Sequence, residues 1–289
     1  MSLNKVISID LGGTNLRVGI VDENLNILTQ IKEKSVHDDA NLLYLQIKKM
    51  VNKVLSSSFS SNVNKIGICC AGFINNGRIE KSPNLNINNF DLISLLNRDF
   101  PFINEIKLVN DANCEAYMEA KYGAAKDFFS SIFLTISTGI GIGVINNKQL
   151  VDMPFEIGHT YIRYKRRFYE FEQLCSGNGL VLLCKLNNLH VKSSQEFFKL
   201  VSIKNVLALK IYETWLQLLS SQIANMQLNY NSDVIVLSGG VLLSKNIFLD
   251  DLEKVSNAFI APYPCKKIKF VDAKFDQDCG LIAGASLVL

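Results

Sequence analysis

Apolar and polar positions along the chain fall into short β-type runs broken by glycine, interleaved with stretches of helical period. Val6 to Leu11 reads as a strand, Gly12-Gly13 as a turn, and Leu16 to Val21 as the return strand. A third strand is expected over Asn26 to Lys32. Leu43, Ile47, Met50, Val51 and Val54 then recur at three-and-four spacing, the signature of an amphipathic helix. Lys65 to Cys70 is an apolar strand, and the Gly-, Asn-, Ser- and Pro-containing stretch from Gly72 to Asn89 reads as a loop. The strand Glu105 to Val109 ends in Asn110-Asp111 and gives way to a helix from Ala112 to about Tyr122.

The pattern then begins again. Ser131 to Ser137 is a β-branched and aromatic strand, Thr138-Gly139-Ile140-Gly141 a glycine turn, and Ile142 to Ile145 the return. An offset of 124 residues lays Gly19-Ile20-Val21-Asp22 on Gly143-Val144-Ile145-Asn146, which implies two related domains, each opening with a glycine-tipped hairpin. Ile211, Trp215, Leu218, Leu219, Gln222, Ile223 and Met226 trace one face of a long helix. Asp233 to Leu237 is a buried-type strand running into Ser238-Gly239-Gly240, Lys267 to Val271 a last strand, and Cys279 to Leu287 a small-residue helix. Strands and helices mixed in this way predict an α/β protein of two domains with a cleft between them. We place a smaller domain at residues 1–113 plus 276–289 and a larger one at 114–275.

Composition narrows the function classes. The 289 residues are 48% hydrophobic and 20% charged, as in a soluble globular protein, and 30 basic against 27 acidic residues leave a net charge of +3. That balance gives no reason to expect nucleic acid or a membrane surface as partner. No apolar run is long enough to cross a bilayer, and no basic-then-apolar leader precedes the first strand, so a cytoplasmic location is expected. The seven cysteines are scattered without a CxxC pair and read as buried, reduced thiols.

Three glycine turns follow apolar strands: Asp10-Leu11-Gly12-Gly13-Thr14, Ser137-Thr138-Gly139-Ile140-Gly141 and Ser238-Gly239-Gly240. Glycine lets backbone N–H groups approach a polyphosphate closely, and Thr14 and Thr138 add hydroxyl donors. None is a Walker sequence and none is GxGxxG before a helix, which excludes P-loop and Rossmann readings. Asp10, beside the first turn, is placed to hold Mg²⁺ through water or to cap the turn. Asp111 stands where a strand meets a helix. It could cap that helix; as a rigidly aimed carboxylate it could instead take the proton from an attacking sugar hydroxyl. Glu156-Ile157-Gly158-His159 offers an acceptor beside a possible donor, a set suited to vicinal hydroxyls. The basic run Arg163, Lys165, Arg166, Arg167 reads as a solvated loop or hairpin face.

Assembled, these segments resemble the ROK family of sugar kinases within the actin/hexokinase-like superfamily. Asp10-Leu11-Gly12-Gly13-Thr14-Asn15 is similar to its first phosphate motif, and Asn110-Asp111-Ala112-Asn113 with Ala116 and Glu119 to its catalytic-base segment. Ser137 to Gly143 is similar to its second phosphate motif, Glu156 to His159 to its signature, and Leu237-Ser238-Gly239-Gly240-Val241 to its adenosine motif. Asp278 to Ala285 resembles its closing helix. The resemblance spans nearly the whole chain in the family's order. It implies a two-domain actin/hexokinase-like (ribonuclease H-like) fold and transfer of phosphate from Mg-ATP to a hexose or N-acetylhexosamine hydroxyl. Asp111 is then the general base. Gly72, Asn84, Asn110, Asp111, Glu156, His159 and Glu172 are the implied sugar contacts. Gly12, Gly13, Thr14, Asn15, Thr138, Gly139, Gly141, Gly239 and Gly240 join Asp10 at the nucleotide. Family members are commonly dimers, so a homodimer is expected.

Two departures bear on this. Many members carry a cysteine run after the signature histidine that binds structural zinc with it, whereas Thr160 to Phe171 contains no cysteine. With only His159 remaining for a tetrahedral site, no zinc is expected. Asn86-Ile87-Asn88-Asn89 stands where the family often has Pro-Gly-Trp near the sugar, leaving glucose, mannose, fructose, N-acetylmannosamine and N-acetylglucosamine open. The rival reading is a non-catalytic sugar sensor or repressor of the same family. Repressors place a DNA-binding domain before the first phosphate motif, and about nine residues precede Asp10 here, too few for one.

Overall fold

The sequence repeat becomes a repeat of sheet topology in the computed structural model, which describes residues 4–275 and 279–289. The chain opens with β1 (Lys5–Leu11), β2 (Asn15–Asp22), β3 (Ile27–Lys34), α1 (Ala40–Leu55), β4 (Lys65–Cys70), β5 (Phe73–Asn75), β6 (Arg78–Ser82) and β7 (Ile87–Phe90). It continues through α2 (Leu92–Asp99), β8 (Glu105–Asn110) and α3 (Asp111–Tyr122). Then follow β9 (Ser131–Ile136), β10 (Ile140–Asn146), β11 (Gln149–Leu150), β12 (Tyr161–Tyr164), β13 (Arg167–Glu170), α4 (Phe171–Cys175) and α5 (Gly177–Leu186). The last elements are α6 (Ser194–Ser202), α7 (Val206–Tyr230), β14 (Val234–Ser238), α8 (Lys245–Ile260), β15 (Phe270–Asp272) and α9 (Gly280–Ser286).

One five-stranded sheet runs β3-β2-β1-β4-β8 and the other β11-β10-β9-β14-β15, the same order built twice. In each, the hairpin is antiparallel and the strands that follow are parallel to its first member. The hairpin turns differ by one residue. Leu11 pairs with Leu16 across residues 12–15, and Ile136 with Ile140 across 137–139. An offset of 124 therefore aligns the return strands, while the outgoing strands align at 125.

Two compact units contain these sheets. The first comprises Met1–Lys121, Leu150–Pro154 and Phe275–Leu289; the second Tyr122–Gln149 and Phe155–Lys274. A boundary after residue 113 would cut α3, which is one continuous helix. Asp278, the first residue of the closing motif, lies outside the described residues.

In the first unit, period-two alternation sends side chains to both faces of the sheet. Ile7, Ile9, Leu11, Leu16, Val18 and Ile20 meet the buried stripe of α1 (Leu43, Ile47, Met50, Val51, Val54). Val6, Val21, Cys69 and Val109 meet α3 and the closing helix through Cys114, Met118, Ala283 and Ala285. Glycine is required there: a Cβ on Gly67 would come 1.9 Å from the Gly284 carbonyl oxygen. In the second unit, α7 buries Trp215 among Phe198 and Phe248, with ring centroids 5.4 and 5.2 Å away, and the Trp215 indole donates to the Cys175 carbonyl at 3.1 Å.

The stretch Gly72 to Asn89, read as a loop, is instead the three-stranded antiparallel sheet β5-β6-β7. Its strands are too short and polar to show a period. Yet Asn76-Gly77, with φ of 48° and 72°, is a two-residue hairpin turn of the kind those residues favour. The basic run does form a hairpin: Lys165 and Arg166, both at positive φ, turn β12 into β13.

Candidate functional site

Register brings the first unit's chemistry to one sheet edge. β1, β4 and β8 are parallel, with Leu11 opposite Cys70 and Cys70 opposite Asn110. The Gly12-Gly13 turn, Ala71-Gly72 and Asn110-Asp111 thus leave the sheet side by side at its carboxyl end, where α/β proteins bind ligands. Gly72 has a φ of +146°, and a Cβ there would meet the Lys81 carbonyl at 2.7 Å. A Cβ on Gly13 would fall 2.4 Å from the Asn84 Cβ, so the structure packs the first glycine turn directly on the β6–β7 loop.

Asn110 does most of the capping that sequence allowed for Asp111. Its Oδ1 accepts from the N–H groups of Ala112 (3.0 Å) and Asn113 (3.4 Å), and its Nδ2 donates to the Gly72 carbonyl at 2.9 Å. These bonds make Asn110, expected from sequence at the sugar, a scaffold between two loops. Asp111, at the first position of α3, accepts from the Ala112 N–H at 2.9 Å. Its side chain remains open to solvent, yet the protein around it displaces enough water to push its carboxyl above the ordinary carboxylate range. The Ala112 and Asp111 N–H groups and Asn110 pull the other way. A raised carboxylate aimed by a rigid helix start is chemically suited to accept a proton.

Three residues here escaped the sequence reading or were given no role. Arg17 stands opposite Asp10 in the hairpin, and its guanidinium lies 3.2 Å from Oδ2 of Asp10. That pairing follows from the hairpin register, which the sequence pattern alone did not fix. Glu115 follows Asp111 by one helical turn. Burial, reinforced by Asp111, Asp10 and Glu119, pushes its carboxyl up to about 8. Gly280 lies so close to Asp10 that a Cβ would come 2.4 Å from the carboxylate carbon.

In the second unit the glycine turns after β9 and β14 lie together. Ser238 pairs with Thr135, and a Cβ on Gly239 (φ +106°) would strike the Ile136 carbonyl at 2.2 Å. Gly240 differs: a Cβ there would meet nothing within 4 Å, so the protein itself leaves that space unfilled. Glu172 ties this region to the signature segment. Its Oε2 accepts from the Ile140 N–H at 3.1 Å and would lie 2.6 Å from a Cβ on Gly139 and 3.0 Å from one on Gly158. Glu172, assigned to sugar, thus has one oxygen engaged by the second glycine turn. Thr138 is exposed beside it.

Glu156 precedes a 3-10 turn over Ile157–His159. Nε2 of His159 is 3.9 Å from Glu156, and Nδ1 is 3.1 Å from Oε2 of Glu170, a residue the sequence reading overlooked. The count of one possible zinc ligand is therefore corrected. Potential ligand atoms of His159, Glu170 and Glu172 lie within 4.8 Å of one another, the one such grouping found among the described residues. Each residue also has a protein partner, Glu170 with His159 and Glu172 with the Ile140 N–H.

Of the residues expected at one site, the first unit carries Asp10, Gly12, Gly13, Thr14, Asn15, Gly72, Asn84, Asn110 and Asp111. The second carries Thr138, Gly139, Gly141, Glu156, His159, Glu172, Gly239 and Gly240.

Known proteins share this architecture. The structure superposes on a ROK hexokinase from Thermus thermophilus with a TM-score of 0.83 at 21% identity, covering 98% of this chain and 97% of that one. By sequence it is 23% identical to a glucokinase of Thermotoga maritima, over 98% of this chain and 97% of the relative. It is 26% identical to a xylose repressor of Bacillus spizizenii over 78% of this chain, a match that spans 60% of the repressor's length. The likeness to solved structures fixes the actin/hexokinase-like fold, and the ROK family model matches residues 6–289. With the duplicated sheet, the glycine turns and the Asp111 helix start all inside that span, the chain belongs to the ROK family.

Proposed function

We propose that this protein phosphorylates a sugar, transferring the γ-phosphoryl group of ATP to a hydroxyl of a hexose or N-acetylhexosamine. The 6-hydroxyl is the expected acceptor, and glucose and N-acetylmannosamine are the favoured substrates. The observation that carries this reading is the convergence of Gly12-Gly13, Gly72 and Asp111 at the carboxyl ends of three parallel strands. The open space at Gly240 supports a bound nucleotide, because a glycine that no protein atom requires leaves room for a ligand.

Mg-ATP supplies the transferable phosphoryl group and screens the charge on its oxygens. The turns at Gly12, Gly13, Thr14 and Asn15 and at Thr138, Gly139 and Gly141 would hold the phosphates, Gly239 and Gly240 the adenosine side, and Asp10 the metal's water shell. Glu156, His159, Glu172 and Asn84 would orient the sugar. Asp111 accepts the hydroxyl proton as the new oxygen–phosphorus bond forms, and the bond to the ADP oxygen breaks. All seven cysteines are free and six are buried, which suits a reducing, cytoplasmic setting.

The xylose repressor match supports a second reading, a sugar-responsive regulator without turnover. ADP formation from Mg-ATP, followed with glucose, mannose, fructose, N-acetylmannosamine and N-acetylglucosamine in turn, separates the two. Sugar-dependent ADP release is expected with at least one of them. Sugar binding without ADP, or ADP release indifferent to sugar, would overturn the kinase reading.

A further inference from the structure

His159 lies exposed at the end of a single 3-10 turn, where packing alone does little to fix a ring. Three carboxylates face it, those of Glu156, Glu170 and Glu172. Glu170 arrives there through the β12–β13 hairpin. Its register sets Glu170 opposite Tyr161, so the chain returns beside the residues it has just left. The Phe171 N–H donates to the Thr160 carbonyl at 2.7 Å and closes the base of that hairpin. Oε2 of Glu170 then stands 3.1 Å from Nδ1 of His159. An ionised carboxylate only accepts, so Nδ1 carries a proton. Nε2 is turned toward Glu156 but stays 3.9 Å from it, beyond hydrogen-bond reach of that carboxylate.

We propose that Glu170 is a positioning residue for sugar binding: accepting from Nδ1–H of His159, it fixes the imidazole so that Nε2–H as donor and the Glu156 carboxylate as acceptor meet neighbouring hydroxyls of the substrate. This rests on the sugar-kinase reading. The bond to Glu170 is also the main cause raising the His159 pKa, with the charges of Glu172, Glu170 and Glu156 adding to it and partial burial opposing. The ring therefore keeps its second proton, and Nε2 its donor character, to higher pH than an isolated histidine. Glu170 has another task, since it stands at the N-cap of α4 and its N–H donates to Gln173 Oε1 at 3.1 Å. A test must separate the two.

Glu170→Gln keeps an acceptor but removes the charge. Glu170→Asp keeps the charge and a good helix cap while ending one methylene short of Nδ1. The chain has three histidines, so nitrogen NMR of the imidazoles follows His159 without reference to activity. Both variants should lower its titration midpoint and shift the alkaline limb of kcat/KM for sugar to lower pH. The sugar KM should rise about tenfold and the ATP KM change less than about twofold. An unmoved midpoint, or a moved midpoint with an unchanged sugar KM, overturns the proposal. A moved midpoint in a protein that phosphorylates none of the five sugars overturns the kinase reading, and the sugar role with it, while leaving the Glu170–His159 pairing. One divalent ion per chain, lost on Glu170→Gln, would overturn it in favour of a metal centre at His159, Glu170 and Glu172.

Discussion

The two five-stranded sheets share one strand order but, apart from the Asp10–Arg17 pair of the first, treat their carboxylates differently. Beside the first, the water displaced by surrounding protein raises Asp111, and burial together with neighbouring acids raises Glu115 to about 8. Beside the second, acids are matched with donors. Glu172 takes the Ile140 N–H, Glu170 takes His159, and Asp233, ahead of β14, is lowered to about 2 mainly by Lys266 at 2.7 Å. Duplication of a fold therefore did not duplicate its electrostatics. Asp111 and Glu115, held above the ordinary range, are chemically suited to accept a proton, whereas Glu172, Glu170 and Asp233, each matched with a donor, tie segments of the second unit together.

The sharpest way to break this contrast is Asp111→Asn. The amide keeps the shape and the contact with the helix start but cannot accept a proton. Turnover should fall by ~10² or more while sugar and nucleotide binding stay nearly intact, read by kinetics alongside calorimetry. In the wild type, the base works only when ionised. Its raised pKa therefore sets an acidic limb in kcat above the ordinary carboxylate range, with activity lost as pH falls through it. Near-normal turnover in the variant would strip Asp111 of its role.

Glu115 sharpens the comparison through stability. Its folded pKa, about 8, lies above the ordinary 4.5. Below 4.5 it is protonated in both states and costs nothing. As pH rises toward 8 the unfolded chain gains by ionising while the folded one resists, so stability is lost across that window. Asp10, Asp111 and Glu119 face it, and the Cys279 thiol lies 4.0 Å away, so no cation offsets the penalty among these neighbours. Glu115→Gln should erase the slope, making the protein about 4 kcal/mol more stable than wild type at pH 8 and little different near pH 4.5, by denaturant titration at both. An equal difference at the two pH values would mean that Glu115 is ionised like any surface acid.

Sequence revealed more of this molecule's skeleton than of its wiring. The glycine hairpins, the α1 stripe and the junction at Asn110-Asp111 were legible because each is a local pattern: period two, period 3.6, or a turn residue after a strand. The β5–β7 sheet was not, since strands of three to five residues carry too little periodicity, although Asn76-Gly77 announced one of its turns. The electrostatic partners were lost for a different reason. Arg17 reaches Asp10, and Glu170 reaches His159, through hairpin register, and register is fixed only once turn lengths are known. Counting cysteines after His159 likewise missed two carboxylates that folding returned to it.

The smallest expected effect concerns the glycines themselves. Gly13 and Gly239 are demanded by the protein: a Cβ would meet the Asn84 Cβ at 2.4 Å or the Ile136 carbonyl at 2.2 Å. Gly239 also has a left-handed φ of 106°. Gly239→Ala should therefore cost stability, by about 2 kcal/mol or more, whatever the ligand. Gly240 is free of every such demand, so Gly240→Ala should leave the melting temperature within about 2 °C of wild type. If adenosine packs on that backbone, the added methyl should nonetheless raise the ATP KM about tenfold and leave the sugar KM alone, because only the nucleotide would meet it. A Gly240→Ala protein with unaltered ATP affinity would show that the third glycine turn stays clear of the nucleotide, and the open space beside it would then need another occupant.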